Sequence, residues 1–157
     1  ARLLVKVMTV LRNHRSRSGV FRGKDGLITP RDLLRWAERG AATKAELAAE
    51  GFMLLAERLR NEEEREVVRD ILAEVIKADF DCDMIYYGSN SEARRELDAV
   101  ARRSREKADE VSGLSALSIA PTKSMLRLLT LVRRCVAKKE PVLLVGETGC
   151  GKTTVIQ

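Results

Sequence analysis

The sequence GETGCGKT, from Gly146 to Thr153, restricts the possible folds of this chain more than any other segment. It matches the phosphate-binding pattern G-x-x-x-x-G-K-[ST] at every fixed position. The apolar run VLLVG leads into it, which is typical of a strand buried on both faces of a parallel sheet. A strand, a glycine-rich loop and the start of a helix, in this order, predict the opening of an α/β nucleotide-binding domain.

The residue types of this loop suit a nucleoside triphosphate bound with Mg²⁺. Gly149 and Gly151 allow the backbone amides to curl towards a phosphate without a Cβ in the way. Lys152 can reach the β- and γ-phosphates, and the hydroxyl of Thr153 is placed to ligate a magnesium ion that bridges them. The predicted cofactors are ATP and Mg²⁺. The predicted binding residues are Gly146, Glu147, Thr148, Gly149, Cys150, Gly151, Lys152, Thr153 and Thr154.

The groups that hydrolyse a nucleotide cannot be assigned in this sequence. Hydrolysis needs an acidic residue at the end of another strand, to hold magnesium or orient water, and a cation that stabilises the transition state. No apolar strand that ends in two acidic residues is present, and the nearest string, ADFDCDM, follows a long predicted helix. We therefore do not expect this chain to hydrolyse ATP alone.

Composition favours helices over the rest of the chain. Of its 157 residues, 45% are hydrophobic and 33% charged but only 4% aromatic, which suits a helix-rich protein with a true core. The net charge of +6 allows a polyanionic partner such as RNA. Because basic and acidic residues alternate along the helices, solvated surfaces are the favoured interpretation, and direct RNA binding stays open.

Other bulk features narrow the class of protein. The three cysteines lie far apart, without the spacing of metal ligands or a disulfide framework, and we expect reduced thiols. No apolar run approaches the roughly 18 residues of a membrane span, so no membrane partner is expected. The chain begins with Ala1, which suggests a piece of a longer protein.

The segment ITPRDLLRWAERG carries agreeing start and stop signals for one helix. Thr29 is the predicted N-cap, Pro30 the first helical residue, and Gly40 lies just past the end. Asp32, three residues after the cap, completes a capping box. The predicted buried side of this helix consists of Leu33, Leu34, Trp36 and Ala37.

Arg31 is the candidate functional residue of this helix. It lies in the first turn, where the helix dipole disfavours a cation, so an anionic partner would explain its presence. The alternative is a solvated arginine that pairs with Asp32 or Glu38.

Further helices are predicted from apolar periodicity and caps. A second capping box, Thr43 with Glu46, opens a helix that we expect to be weakened or interrupted at Gly51. Asn61 is the predicted cap of a helix that runs to about Ala78. The remaining predictions are a helix around Leu3–Leu11, a loop at 13–26 with a short hairpin around 20–28, a connector at FDCDMIYYGSN, a charged segment from Ser91, a domain boundary within 111–121 and a helix from about Thr122 to Ala137.

Three segments resemble the midasin family, very large dynein-related AAA+ proteins of ribosome biogenesis. They are GLITPRDLLRWAER, RLRNEEEREVV and SIAPTKSMLRLLTLVRRCVAKKEPVLLVGETGCGKTT. The resemblance implies a mostly α fold. Residues 1–113 would form the helical lid of one AAA+ module, and residues 114–157 the first helix, strand and Walker A loop of the next, an incomplete α/β P-loop domain.

The resemblance also implies roles. Arg31 corresponds to a sensor arginine that contacts the nucleotide of its own module, and the Gly146–Thr154 loop to the ATP site of the following one. Members act as nuclear chaperones, in nucleolus and nucleoplasm, that remodel pre-60S ribosomal particles and release assembly factors for large-subunit maturation and export. Expected partners are these particles, their assembly factors and neighbouring AAA+ modules of the same chain.

Two alternatives remain at this point. One keeps the ATPase but assigns it to another AAA+ branch, MoxR-like or dynein-like. The other is a non-catalytic helical module that binds acidic proteins or rRNA. An acidic strand end in the sequence that follows the loop would favour either ATPase over the binding module.

Overall fold

The computed structural model describes residues 1–17, 28–88, 91–110, 122–147 and 152–156, and the chain divides into two compact units. The first unit is Ala1–Asp81 and the second is Cys82–Gln157. The first unit contains helices α1 (Arg2–Arg17), α2 (Pro30–Glu38), α3 (Lys44–Leu55) and α4 (Glu62–Ile76). The second contains α5 (Cys82–Tyr87), α6 (Glu92–Glu110), α7 (Lys123–Ala137) and α8 (Lys152–Ile156).

The core of the first unit is built from apolar residues at helical spacing. In α1, Leu4, Val7 and Leu11 lie one turn apart on one face and are buried, and α1 packs on α4. The matching face of α4 buries Leu72 and Ile76. Helix α3 closes the same core by packing on α4. The prediction of a helical stripe near the start of the chain is confirmed. The loop predicted from Asn13 was wrong over residues 13–17, because the helix continues to Arg17.

Helix α2 has the predicted caps but a different buried side. The Thr29–Asp32 capping box and Pro30 at the first position are present. Gly40 has φ +68°, the left-handed conformation that favours glycine after a helix end. The predicted burial of Leu34 was wrong, because its side chain is 64% exposed.

Ala37 is also exposed, and the buried residues of α2 are Asp32 and Trp36. These two are four residues apart and share one face, so the face that buries the indole also buries the carboxylate. The sequence did not predict the burial of Asp32, because hydrophobicity alone assigns an aspartate to the exposed side of a helix.

Gly51 does not interrupt α3, contrary to the prediction, and the helix runs from Lys44 to Leu55. Gly51 is buried where α3 meets α2. A Cβ at this position would lie 2.3 Å from Cζ2 of Trp36, closer than atoms can approach. The same indole donates its Nε1 hydrogen to the carbonyl of Leu47, at 2.9 Å. Glycine is therefore a packing requirement here.

The predicted connector FDCDMIYYGSN contains the short helix α5, which is a correction to the sequence interpretation. Tyr86 is buried, and α5 packs on α7. A helix of this length is marginal by itself, so tertiary packing rather than local signal accounts for it. The preceding helix α4 is capped by Asn61 as predicted, with its side chain accepting from the amide of Glu63 at 3.1 Å.

Helices α6 and α7 form the core of the second unit. Ala93 and Leu97 of α6 meet Leu126 and Leu129 of α7, and Tyr87, Met125 and Val155 pack around this cluster. Helix α7 begins after Thr122, whose hydroxyl accepts from the amide of Met125 at 3.3 Å. The predicted helix of this region is confirmed.

The strand predicted at VLLVG is not formed: residues 141–147 have no regular structure, and no strand occurs anywhere in the described ranges. Leu143 and Val145 are 87% and 85% exposed. A strand needs a hydrogen-bonded neighbour, and the described residues supply none, so an apolar run suited to a sheet interior is left without regular structure and largely exposed.

Some predictions fall on residues that lie outside the described ranges. They are the rest of the predicted loop, residues 18–26, the hairpin at 20–28 apart from Ile28, and the boundary region 111–121, including the division after Gly113. These stay predictions. The helices of the described ranges include none that is both long and apolar enough to cross a membrane.

Candidate nucleotide-binding site

Lys152 connects the two ends of the predicted phosphate loop. It is the first residue of α8, and its Nζ donates to the carbonyl oxygens of Gly146, at 2.7 Å, and Glu147, at 2.6 Å. The chain between them, 148–151, lies outside the described ranges. The two hydrogen bonds show that the ammonium group of Lys152 lies beside the backbone of Gly146 and Glu147, the first two residues of the motif.

This arrangement can hold a phosphate group. The Nζ of Lys152 has three donors, and phosphate oxygens are acceptors that can replace or join the two carbonyls. Thr153 follows directly and is exposed, so its hydroxyl is accessible for a metal ion. An ammonium beside a hydroxyl at a helix start fits a magnesium-bound triphosphate: Lys152 would hold phosphate oxygens and Thr153 the ion.

The second unit holds α8 in place through its apolar side. Val155 packs against the cluster of Ala93, Leu97, Leu126 and Leu129. Val155 is three residues after Lys152, so both lie on the same side of α8. Packing of Val155 therefore fixes the orientation of the helical turn that carries Lys152. The core of the second unit therefore positions the ammonium group relative to α7.

The structure leaves the other predicted loop residues untested. Thr148, Gly149, Cys150 and Gly151 lie outside the described ranges, and Thr154 lies within α8. Their roles stay predictions, as do those of Gly146, Glu147, Lys152 and Thr153. The contact between Lys152 and the first two loop residues is what the structure adds.

Arg31 lies in the first unit, in the first turn of α2, and is exposed. The alternative in which it pairs with Asp32 is not observed. Asp32 Oδ2 accepts from the amide of Thr29 at 2.7 Å and from its hydroxyl at 2.9 Å, while Oδ1 accepts from Nη1 of Arg58 at 3.3 Å. Both oxygens of the carboxylate are thus engaged by Thr29 and Arg58, and they tie the start of α2 to the turn after α3.

The Asp32 carboxylate is stabilised in its charged form. Burial raises the pKa of Asp32, but the hydrogen bonds from Thr29 and the charge and hydrogen bond of Arg58 outweigh it and leave that pKa below its ordinary value. A lowered pKa in the folded state contributes stability that is present at neutral pH. This stability is lost as pH falls through the folded-state pKa.

Substitution of Asp32 by asparagine should reveal that pH dependence. We expect the free energy of unfolding at pH 7 to fall by about 1–2 kcal/mol, through the weakened cap and the lost ion pair. The difference from the unsubstituted chain should shrink as pH falls below 3.8, the ordinary pKa, towards the lowered folded-state pKa of Asp32. Urea unfolding followed by the fluorescence of Trp36, the one tryptophan, measures it.

A matched control for this measurement is Asp70→Asn. Asp70 is exposed on α4 and contacts the neighbouring Arg69 at 3.2 Å, so its loss should cost little at either pH. If Asp32→Asn lowers the free energy of unfolding equally at pH 7 and pH 3, the pKa of Asp32 is not lowered in the folded state.

Sequence analysis missed Arg58 as a determinant of this region. It is 26 residues from Asp32, and no local pattern joins the two. The one sequence signal for the partners of Asp32 was the capping box, because a carboxylate that bonds to Thr29 is less available to Arg31.

Comparison with protein families was decisive for the classification. The model of the midasin AAA lid domain matches residues 1–79, and that of the P-loop containing dynein motor region matches residues 113–157. The chain belongs to the midasin family. Curated proteins named Midasin include one from Dictyostelium discoideum, 42% identical over 98% of this chain, and one from Giardia intestinalis, 32% identical over 92%.

The chain spans about 3% of the length of these midasin relatives. No solved structure matches it significantly. As a member of the midasin family it is part of an AAA+ ATPase family. The helical first unit and the P-loop sequence of the second agree with a lid followed by the start of a P-loop domain.

Proposed function

We propose that this chain forms the lid of one AAA+ module and the start of the next in a midasin-type ATPase, and that its loop Gly146–Thr154 binds ATP with Mg²⁺. The observation that carries the proposal is the contact of Lys152 Nζ with the carbonyls of Gly146 and Glu147. This contact supports the proposal because the motif requires a cation at the position of Lys152. The matched P-loop family model supports the same assignment.

Arg31 is proposed to contact the nucleotide of the module to which the lid belongs. Its exposure and the engagement of Asp32 by Thr29 and Arg58 support this role, because Arg31 remains accessible at the end of a fixed helix. The two nucleotide-facing features of the chain would thus serve two different sites.

The process in which the ATPase acts is proposed from family membership. The full-length protein would use ATP to remodel pre-60S ribosomal particles in the nucleolus and nucleoplasm, and release assembly factors before the large subunit is exported. Pre-60S particles, those factors and neighbouring AAA+ modules would be its partners.

Lys152→Ala in the full-length protein tests the site. Loss of a charged hydrogen-bond donor to phosphate costs about 1.5–3 kcal/mol, so we expect affinity for ATP at this module to fall about 10- to 150-fold. Photolabelling with 8-azido-ATP, followed by mass spectrometry of the labelled peptides, separates this module from the others. Lys138→Ala, an exposed cation at the end of α7, is the matched control.

Unchanged labelling of the Lys152→Ala protein would contradict the nucleotide site. The same variant tests the process: cells that depend on it should accumulate large-subunit precursors in the nucleus. Loss of labelling with normal export of large subunits would retain the ATP site but contradict the proposed role of this module in maturation.

A further inference from the structure

A groove on the surface of the second unit, formed by α6 and α7, carries three arginines. It has a volume of about 500 Å³ and is lined by Arg95, Glu96, Ala99, Arg103 and Arg133. Arg95, Ala99 and Arg103 follow one another at intervals of four residues, so they share one face of α6. Arg133 contributes from α7. Positive charge is therefore concentrated along one groove although α6 as a whole alternates acidic and basic residues.

Glu96, the one carboxylate among the described lining residues, does not neutralise the groove. Glu96 forms an ion pair with Arg133 across the two helices. Arg95 and Arg103 are exposed, and neither makes an ion pair with a residue whose side chain the structure describes. Asp98 and Glu106 lie three residues after them on α6, within reach of an intrahelical pair, yet no such pair is formed. Two arginines thus keep their charge available to a ligand.

The lining decides which polyanion fits. Arg95 and Arg103 are eight residues apart, which is about 12 Å along a helix, so each can meet a different charged group of one extended partner. A guanidinium group binds phosphate through two parallel hydrogen bonds. A peptide would need apolar anchors, and stacked bases would need aromatic side chains. Among the lining residues whose side chains the structure describes, only Ala99 is apolar and none is aromatic.

We propose that this groove binds the phosphodiester backbone of a nucleic-acid strand without reading its sequence. The chemistry of the contact is arginine to phosphate, which supplies affinity and position but no sequence information. The net charge of +6 for the whole chain assists the encounter. This site is separate in sequence and composition from the phosphate loop, and it does not depend on the proposed ATP site.

The test compares two double variants of equal charge on the same helix. Arg95→Ala with Arg103→Ala removes the groove charges, while Arg94→Ala with Arg102→Ala removes the two neighbouring exposed arginines that do not line the groove. Alanine favours helix at least as well as arginine, so both variants should retain α6. Binding of a fluorescent oligouridine of about 20 nucleotides, longer than one strand-binding site, is measured by anisotropy at several salt concentrations.

We expect the groove variant to lose at least about tenfold in affinity at low salt. Its slope of log K against log salt should fall by about 1.4, because each phosphate contact to a single strand contributes about 0.7. The control variant should lose less affinity than the groove variant, and its slope of log K against log salt should stay that of the unsubstituted chain. Oligothymidine of the same length separates RNA from DNA as the source of the phosphates, and equal affinity for both would identify the backbone alone.

Three results would overturn the proposal. The first is equal loss in both double variants, which would mean that only total charge matters. The second is no binding of either oligonucleotide by the unsubstituted chain. The third is tighter, groove-dependent binding of polyglutamate than of oligouridine, which would make the partner an acidic protein segment.

Discussion

Substitution of Gly51 by alanine is expected to lower the free energy of unfolding of the first unit by about 2–4 kcal/mol. The new Cβ would lie 2.3 Å, 2.8 Å and 2.9 Å from three atoms of the Trp36 ring. The indole must shift, which disturbs the core and stretches the hydrogen bond from Nε1 to the carbonyl of Leu47. The gain in helix propensity from glycine to alanine, about 1 kcal/mol, offsets only part of this cost.

The clash is specific to the indole, and two further variants test that. In a Trp36→Phe background the ring is smaller, so Gly51→Ala should cost less there than alone, a coupling measured by a double-mutant cycle from thermal unfolding. Gly40→Ala is the matched control: it has φ +68° but its nearest Cβ contact is 3.8 Å, so only backbone strain of about 1–2 kcal/mol is expected. Equal costs of Gly51→Ala in both backgrounds would contradict the role of the indole.

Local signals explain which parts of the fold could be predicted. The caps of α2 and α3 were predicted because Thr29 and Thr43 each bond to a residue three positions further along the chain. The glycine after α2 was predicted for the same reason. Contacts between helices were not, since they depend on how two elements dock, and Gly51 therefore looked like a weak point in α3 instead of a packing position.

In the candidate site, too, features set by local sequence were predicted, and features that depend on contacts with other elements were not. The loop was predicted because glycines, Lys152 and Thr153 stand at fixed intervals in one segment. The strand at Val142–Gly146 was wrongly predicted because a strand depends on neighbours that no local pattern supplies. For Arg31, the sequence indicated its helix position, but only the structure shows that Arg58 occupies Asp32.

Loss of Glu50 is expected to destabilise the first unit most. Nη1 of Arg39 lies 3.2 Å from Oε2 of Glu50, and the two side chains are 4% and 2% exposed. Removing one partner of a buried pair leaves the other charge in a medium that solvates it poorly, which costs about 3–5 kcal/mol. Glu50→Ala should therefore lower the free energy of unfolding by this amount, measured by urea titration of Trp36 fluorescence.

Replacement of both Arg39 and Glu50 shows whether Glu50→Ala destabilises the unit through the charge left on Arg39 or through lost packing. Arg39→Met with Glu50→Met keeps most of the volume and removes both charges, and such replacements are often neutral or stabilising. The double variant should thus be more stable than Glu50→Ala by at least about 2 kcal/mol. Asp70→Ala, which breaks an exposed contact with Arg69, should cost less than about 1 kcal/mol. If Glu50→Ala costs no more than Asp70→Ala, the buried pair does not hold α2 against α3 through its charge.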